Sequence, residues 1–119
     1  MGDRAVVELT DGHKTIQGYT HWGRTHLPAD VYTVLKALEK EGEFCDIDLW
    51  VLGLTTEMEK HTTDTGVTWS EPAYRSDEVF EINCERCQVA FKVFGQRLIL
   101  DFADFMSVWE ETERAKVRV

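Results

Sequence analysis

A histidine and a tryptophan stand side by side where a predicted β-hairpin ends. His21 and Trp22 lie within the segment Gly18-Tyr19-Thr20-His21-Trp22-Gly23. An imidazole can act as a general base, and one hypothesis pairs His21 with Cys45 or a carboxylate in a small enzyme. Exposed tyrosine and tryptophan side chains instead anchor protein interfaces, because they bury a large area at little entropic loss. Catalysis and recognition both remain open for this hairpin end.

Several aromatic residues stand beside predicted loops among polar neighbours. Together with His21, they are the predicted recognition residues: Tyr19, Trp22, Trp69 and Tyr74. Trp50 and Trp109 fall on apolar helical stripes instead, so we expect them to lie in the core. The aromatic residues therefore predict a binding surface formed by loops, with packing against the sheet as the alternative role for at least half of them.

The segment Cys84-Glu85-Arg86-Cys87 joins two predicted strands and can bring two thiolates to one tetrahedral metal. A closed zinc site needs two further ligands, and the chain offers Cys45 with one of its histidines: His21, His26 or His61. A redox dithiol is disfavoured, because such pairs normally stand at a helix N-terminus. The alternative is structural, with both cysteines half-buried in a hairpin. Apart from this zinc ion, we expect no cofactor.

The chain is acidic, and the negative charge is concentrated in its middle. Its net charge is −9, from 13 Lys and Arg against 22 Asp and Glu. Residues 31–60 hold three basic and seven acidic side chains, and residues 61–90 hold two and six. Nucleic-acid binding rests on clustered Lys and Arg, so we expect no direct nucleic-acid partner. An acidic face favours a basic protein partner, or it serves solubility alone.

Alternating apolar residues predict strands in both halves of the chain. Residues 5–9 run into the tight-turn pair Asp11-Gly12, and residues 15–21 return as the second strand of a hairpin. Three further alternating segments predict an antiparallel three-stranded meander with one buried face. These segments are residues 80–84, 89–93 and 98–102.

Helical spacing predicts two helices between the hairpin and the meander. Pro28 suits the first turn of the first helix with Thr25 as its cap, and Gly42 ends it. The second helix is expected over residues 45–61, weakened by Gly53. A last helix follows the meander, capped by Asp101 or Asp104. The sequence therefore predicts a single compact α+β domain over residues 1–119.

The N-terminal residues resemble a group of small phage and mobile-element proteins of unknown function. Those proteins begin Met-Gly-Asn-Arg-Ala and continue with a Tyr-x-His-Trp-Asn/Asp-Gly segment. The matching residues here are Met1-Gly2-Asp3-Arg4-Ala5 and Tyr19-Thr20-His21-Trp22-Gly23. Gly23 directly follows Trp22, so the intervening Asn or Asp is absent, together with any chemistry of that side chain. The resemblance implies an origin in a phage or mobile element.

These observations favour a small acidic protein that binds another protein. The expected activity is that of an inhibitor or adaptor covering a basic, nucleic-acid-binding surface of a host complex, as anti-defence proteins do. The acidic face would consist of Glu39, Glu41, Glu43, Asp46, Asp48, Glu57 and Glu59. No apolar run of about 18 residues and no secretory signal is present, so we expect a cytoplasmic protein without a membrane partner. The alternatives are a His21 enzyme and a zinc-stabilised module.

Overall fold

The computed structural model describes residues 4–21, 23–61, 66–74, 79–93 and 95–117. Within these residues, six strands form one sheet and three helices pack on one of its faces. A short 3-10 turn, Arg24–His26, precedes the first helix. The elements in chain order are β1 (Ala5–Thr10), β2 (Thr15–Thr20), α1 (Leu27–Glu41), α2 (Ile47–Glu59), β3 (Thr68–Ser70), β4 (Phe80–Asn83), β5 (Gln88–Val93), β6 (Gln96–Asp101) and α3 (Phe102–Val117).

The sheet is mixed, with strand order β3-β2-β1-β4-β5-β6. β1 and β4 pair in parallel, and every other neighbouring pair is antiparallel. The α+β class is confirmed. The predicted three-stranded meander differs in detail, because β4, β5 and β6 pair antiparallel in chain order but continue through β1 into the hairpin. The edge strand β3 was not expected, since three residues are too few to show alternation.

β1 lies at the centre of the sheet, and its alternation decides which face is buried. Val7 pairs with Phe80 and Leu9 pairs with Ile82, and all four side chains belong to the core. The three helices bury their apolar stripes against this face. The radius of gyration is 13.7 Å, close to the roughly 13.5 Å expected for a compact domain of this length.

The first helix ends as its sequence predicts but begins differently. Gly42 caps α1 in the left-handed conformation, with φ of 72°, and its N–H bonds to carbonyls of the last turn. Such a φ favours glycine because other residues carry a Cβ. The predicted cap at Thr25 is wrong, because His26 occupies the N-cap and makes no side-chain capping bond. Pro28 lies in the first turn, where its missing N–H is not needed.

Aspartates begin the other two helices. Asp46 caps α2, and its Oδ1 accepts from the N–H groups of Asp48 and Leu49 at 3.0 and 3.3 Å. The helix therefore starts at Ile47, two residues later than expected. Asp101 caps α3 by accepting from the N–H of Asp104 at 2.7 Å, which decides between the two predicted caps.

The second face of the sheet is not covered by any helix of the described residues, and we call it the open face. Residues in register across all six strands form one of its rows: Ser70, Gln17, Glu8, Glu81, Ala90 and Ile99. Most of these side chains are polar, as expected for the solvated side of an antiparallel sheet. No helix in the described part of the chain is long and apolar enough to cross a membrane.

Candidate functional site

Exposed carboxylates cluster where α1 turns into α2. We call this cluster the acidic corner; it consists of Glu39, Glu41, Glu43, Asp46 and Asp48. The indole N–H of Trp50 donates to the carbonyl of Phe44 at 2.9 Å and thereby fixes the link between the helices. Lys36 Nζ lies 3.5 Å from the Glu39 carboxylate, and the other four carboxylates make no ion pair within the described residues. The corner therefore presents four carboxylates that have no ion-pair partner among the described residues.

A groove of about 330 Å³ opens beside the acidic corner. Its floor is apolar, and the ring centroids of Phe44 and Phe102 lie 5.7 Å apart. The N–H of Phe102 donates to the carbonyl of Cys87 at 2.8 Å, which ties the start of α3 to the turn before β5. We call this cavity the corner groove, and its lining residues are Glu39, Phe44, Arg86, Cys87, Asp101, Phe102, Ala103 and Met106.

The charges at the corner groove favour a cationic ligand. Glu39 and Asp101 contribute carboxylates to the lining, and Arg86 contributes one guanidinium. The rest of the acidic corner adds further negative charge alongside. Apolar pockets with a few charged groups at the rim are typical of ligand and hot-spot sites. The arrangement therefore suits a basic segment that carries one apolar side chain.

The predicted thiol residues come together at this corner. Cys84 and Cys87 form the ends of the turn between β4 and β5, and Cys87 has a φ of 55°. The side chain of Cys45 lies near enough to both thiols to raise the pKa of each. No group of three or more His, Cys, Asp or Glu side chains in the described ranges has the arrangement of a metal site. A zinc ion held by Cys45, Cys84 and Cys87 therefore stays a prediction.

Burial makes the two turn cysteines poor nucleophiles. Cys84 is completely buried, and that burial raises the pKa of its thiol to about 12. Burial also raises the pKa of Cys87, with a smaller contribution from Cys45. Because the thiolate is the reactive form, neither residue has the environment of a catalytic cysteine.

The hairpin end brings together Tyr19, His21 and Tyr74, which we call the aromatic patch. The rings of Tyr19 and Tyr74 stack at 5.5 Å, and the guanidinium of Arg4 lies 5.2 Å from the centre of the Tyr74 ring. Tyr19 Oη lies 3.1 Å from Nδ1 of His21, which is exposed. Trp22, the neighbouring predicted anchor, lies outside the described residues. These contacts hold the rings of the aromatic patch in fixed positions relative to one another.

Gln17 holds the chain segment that carries Tyr74. This glutamine is 2% exposed, and its Oε1 accepts from the N–H groups of Ala73 and Tyr74 at 2.8 and 2.9 Å. Its Nε2 donates to the Glu8 carboxylate and to the carbonyl of Tyr74. No local sequence pattern marks this role, because Ala73 and Tyr74 stand 56 or more residues away from Gln17.

Trp69 occupies a half-buried position rather than the aromatic patch. Its Nε1 donates to Thr55 Oγ1 at 2.8 Å, and its ring covers Gly18. A Cβ at Gly18 would lie 2.7 Å from that ring, so the glycine permits the contact. These contacts join β3 to α2, and they place the predicted anchor in the packing between elements.

Two histidines and a buried aspartate form a cluster that sequence reasoning did not identify. His61 Nε2 lies 3.1 Å from Asp30 Oδ1, and the ring of His26 stacks on that of His61 at 4.0 Å. Burial raises the pKa of Asp30, and the hydrogen bond to His61 opposes part of that rise. The cluster joins the start of α1 to the end of α2. Its one sequence signal is a carboxylate beside the apolar stripe of α1.

Comparisons with known proteins assign no family. No protein-family model matches this chain, and no curated protein or solved structure matches it. The N-terminal resemblance to phage and mobile-element proteins therefore stays a prediction. The candidate functional features of the chain are the acidic corner, the corner groove and the aromatic patch.

The structure does not bring His21 and Cys45 together. His21 follows Thr20, which pairs with the first residue of β1, whereas the turn beside Cys45 is bonded to Thr10 at the other end of β1. These two ends are about 17 Å apart in an extended strand. The 13 residues of α2 likewise separate Cys45 from His61, by roughly 20 Å. The geometry supports neither a His21–Cys45 catalytic pair nor a zinc site that combines Cys45 with His61.

Proposed function

We propose that this chain is a protein-binding protein that places its acidic corner against a basic surface of its partner. The observation that carries the proposal is that four carboxylates lie beside an apolar groove and have no ion-pair partner among the described residues. The corner groove would accept an apolar side chain of the partner, while the carboxylates face its Lys and Arg residues. The aromatic patch offers a second contact at the hairpin end.

The two parts of this surface would contribute differently to binding. Exposed carboxylates attract a basic surface over a distance, so they chiefly raise the association rate and exclude acidic competitors. An apolar side chain buried in the corner groove would slow dissociation, because buried anchors carry most of the energy of an interface. Added salt should therefore lower the association rate, and a change in the shape of the groove should raise the dissociation rate.

The class of partner follows from the charge. A basic surface large enough to face the acidic corner is typical of proteins that bind nucleic acid. By occupying that surface, the chain would act as an inhibitor or adaptor of a host complex. The N-terminal resemblance supports a phage or mobile-element origin and an anti-defence role. The three free cysteines are consistent with work in the reducing cytoplasm.

A capture experiment with paired variants tests the proposal. The tagged chain is incubated with host lysate at low and high salt, and captured proteins are identified by mass spectrometry. The variant Glu41→Gln with Glu43→Gln removes two exposed, unpaired carboxylates from the acidic corner. We expect about a tenfold loss of binding to the captured protein, and nucleic acid should compete with the chain.

The matched control changes the same charge elsewhere. Glu71→Gln with Glu111→Gln removes two exposed carboxylates outside the acidic corner and should leave binding unchanged. Ala103→Gln adds bulk to an exposed lining residue of the corner groove and should increase the dissociation rate, whereas Ser107→Gln one turn later should not. Capture that survives about 1 M salt and is equal for both charge variants contradicts the proposal.

A further inference from the structure

β6 is an outer strand of the sheet and has β5 as its single partner among the described residues. It is six residues long, and five of its six side chains are exposed, the exception being Leu100. Natural sheets shorten, bend or cover such edges, because a free edge can pair with another chain. No described element covers this edge by strand pairing.

The register shows which backbone groups of β6 face outward. The N–H of Phe102 bonds to the carbonyl of Cys87, so these two residues form a hydrogen-bonded pair of the antiparallel ladder. Hydrogen-bonded and non-hydrogen-bonded pairs alternate along such a ladder. Leu98 and Leu100 therefore bond to β5, and the backbone groups of Arg97 and Ile99 point away from it.

The side chains of β6 are apolar at its centre and oppositely charged around it. Ile99 is 56% exposed on the open face, and Leu98 is 40% exposed on the other. Arg97 stands two residues before Ile99, and Asp101 stands two residues after it. All three odd-numbered side chains share the open face, because strand side chains alternate.

We propose that β6 pairs antiparallel with β6 of a second copy of this chain, with Ile99 opposite Ile99 at the two-fold axis. Arg97 then stands opposite Asp101 of the partner subunit, twice by symmetry. Leu98 stands opposite Leu100 of the partner subunit on the helix-covered face. The result is a continuous twelve-stranded sheet across a symmetric dimer.

Charge selects this register over its neighbours. Moving the centre of the pairing to residue 97 would place two arginines opposite each other, and a centre at residue 101 would oppose two aspartates. Like charges directly opposite destabilise a strand pair, whereas opposite charges stabilise it. Centres at Leu98 or Leu100 would also pair the outward backbone groups, but they would place Arg97 or Asp101 opposite Ile99. The centre at Ile99 therefore differs from them in bringing opposite charges together.

A dimer built on one strand pair buries a modest area, so it should dissociate on dilution. Sedimentation and light scattering over a concentration series should show a monomer–dimer equilibrium. Hydrogen exchange gives a residue-level readout, because the outward N–H groups of Arg97 and Ile99 should become protected as concentration rises. A chain that stays monomeric, with both amides unprotected at high concentration, overturns the proposal.

Paired substitutions test the apolar centre. Ile99→Lys should abolish the dimer, because it buries two ammonium groups against each other. Leu52→Lys changes a side chain that is 66% exposed on α2 and should leave the dimer intact. A dimer that persists in Ile99→Lys lies at another surface and overturns the proposal, as does growth into fibres.

Charge exchange tests the register. Arg97→Glu and Asp101→Lys should each prevent self-association, and mixing the two variants should restore a dimer, because both charge pairs become attractive again. Asp101→Asn keeps a helix-capping residue and should weaken the dimer about tenfold, since it removes both charge pairs. Asp104→Asn is the matched control with no expected effect. Failure of well-folded Arg97→Glu and Asp101→Lys chains to pair on mixing contradicts the register.

Discussion

At the scale of single residues, the Asp30 carboxylate is a buried group that is only partly compensated. Asp30 is 5% exposed, and its Oδ2 has no hydrogen-bond partner in the described structure, although Oδ1 contacts His61. A buried carboxylate with an unsatisfied oxygen lowers stability when it is ionised. Because burial raises its pKa above 3.8, the folded chain holds the Asp30 proton more tightly than the unfolded chain does.

Because of this difference, the stability that Asp30 contributes falls as the pH rises. The contribution of protonated Asp30 is fully present below the unfolded pKa and is lost as pH rises through the folded pKa. Asp30→Asn keeps the shape and an acceptor for His61 but cannot ionise. We expect the free energy of unfolding of this variant, relative to the wild type, to increase as the pH rises from below 3.8 through the higher folded pKa of Asp30. Urea unfolding at several pH values measures it, with the exposed Asp48→Asn as control. A difference that is constant with pH contradicts the argument.

The three thiols should react at very different rates. Cys45 is exposed, whereas burial raises the pKa of Cys84 to about 12. At about pH 8 roughly one Cys84 in ten thousand would be a thiolate. We expect iodoacetamide to modify Cys45 first, Cys87 more slowly and Cys84 only after unfolding, as followed by peptide mass spectrometry. Equal labelling of Cys84 and Cys45 in the folded chain would show that the turn is open.

At this scale the sequence predicts residue classes better than partnerships. The capping roles of Asp46 and Asp101 can be predicted, because each carboxylate bonds an N–H group only two or three residues further along the chain. The contact between Asp30 and His61 spans 31 residues, and no local pattern marks it. The corner groove was not predicted for the same reason, since Phe44 and Phe102 meet only through the fold.

At the scale of elements, Gly53 stabilises the crossing of α1 and α2, although glycine has a low helix propensity. Glycine inside a helix is about 1 kcal/mol less favourable than alanine. A Cβ at Gly53, however, would lie 2.8 Å from Cγ1 of Val34, a buried residue of α1. Valine has a restricted χ1 and cannot move aside without strain. We expect Gly53→Ala to lower the free energy of unfolding by about 1 to 2 kcal/mol, measured by urea titration.

A double-mutant cycle separates packing from propensity at this crossing. In a Val34→Ala background the clash is removed, so the same Gly53→Ala change should stabilise the chain by up to about 1 kcal/mol. A stabilising effect of Gly53→Ala in the wild-type background would mean that the helices are farther apart than the structure shows.

Element types were visible in the sequence, whereas their pairing was not. Alternation identified β4, β5 and β6, and helical spacing identified α1 and α2. The parallel pairing of β1 with β4 joins residues more than 70 positions apart, which periodicity cannot reveal. β3 is a strand because Gly18 admits Trp69, a contact that depends on β2 being in place.

At the scale of the whole molecule, β1 holds the two halves of the sheet together. On one side it pairs with β2, and on the other it pairs with β4, the first strand of the C-terminal half. The helices pack across both halves on the same face. Loss of β1 would therefore separate β2 and β3 from β4, β5 and β6, and neither group would keep a closed core.

Leu9 tests this dependence, because it is completely buried at the centre of β1. Leu9→Ala removes buried methyl groups and leaves a cavity, so we expect the free energy of unfolding to fall by about 3 kcal/mol. Since both halves depend on β1, far-UV circular dichroism and tryptophan fluorescence should shift together and remain coincident in urea. Leu52→Ala changes an exposed leucine and should alter stability by less than about 0.5 kcal/mol. Two separate transitions in Leu9→Ala would mean that each half of the sheet folds without the other.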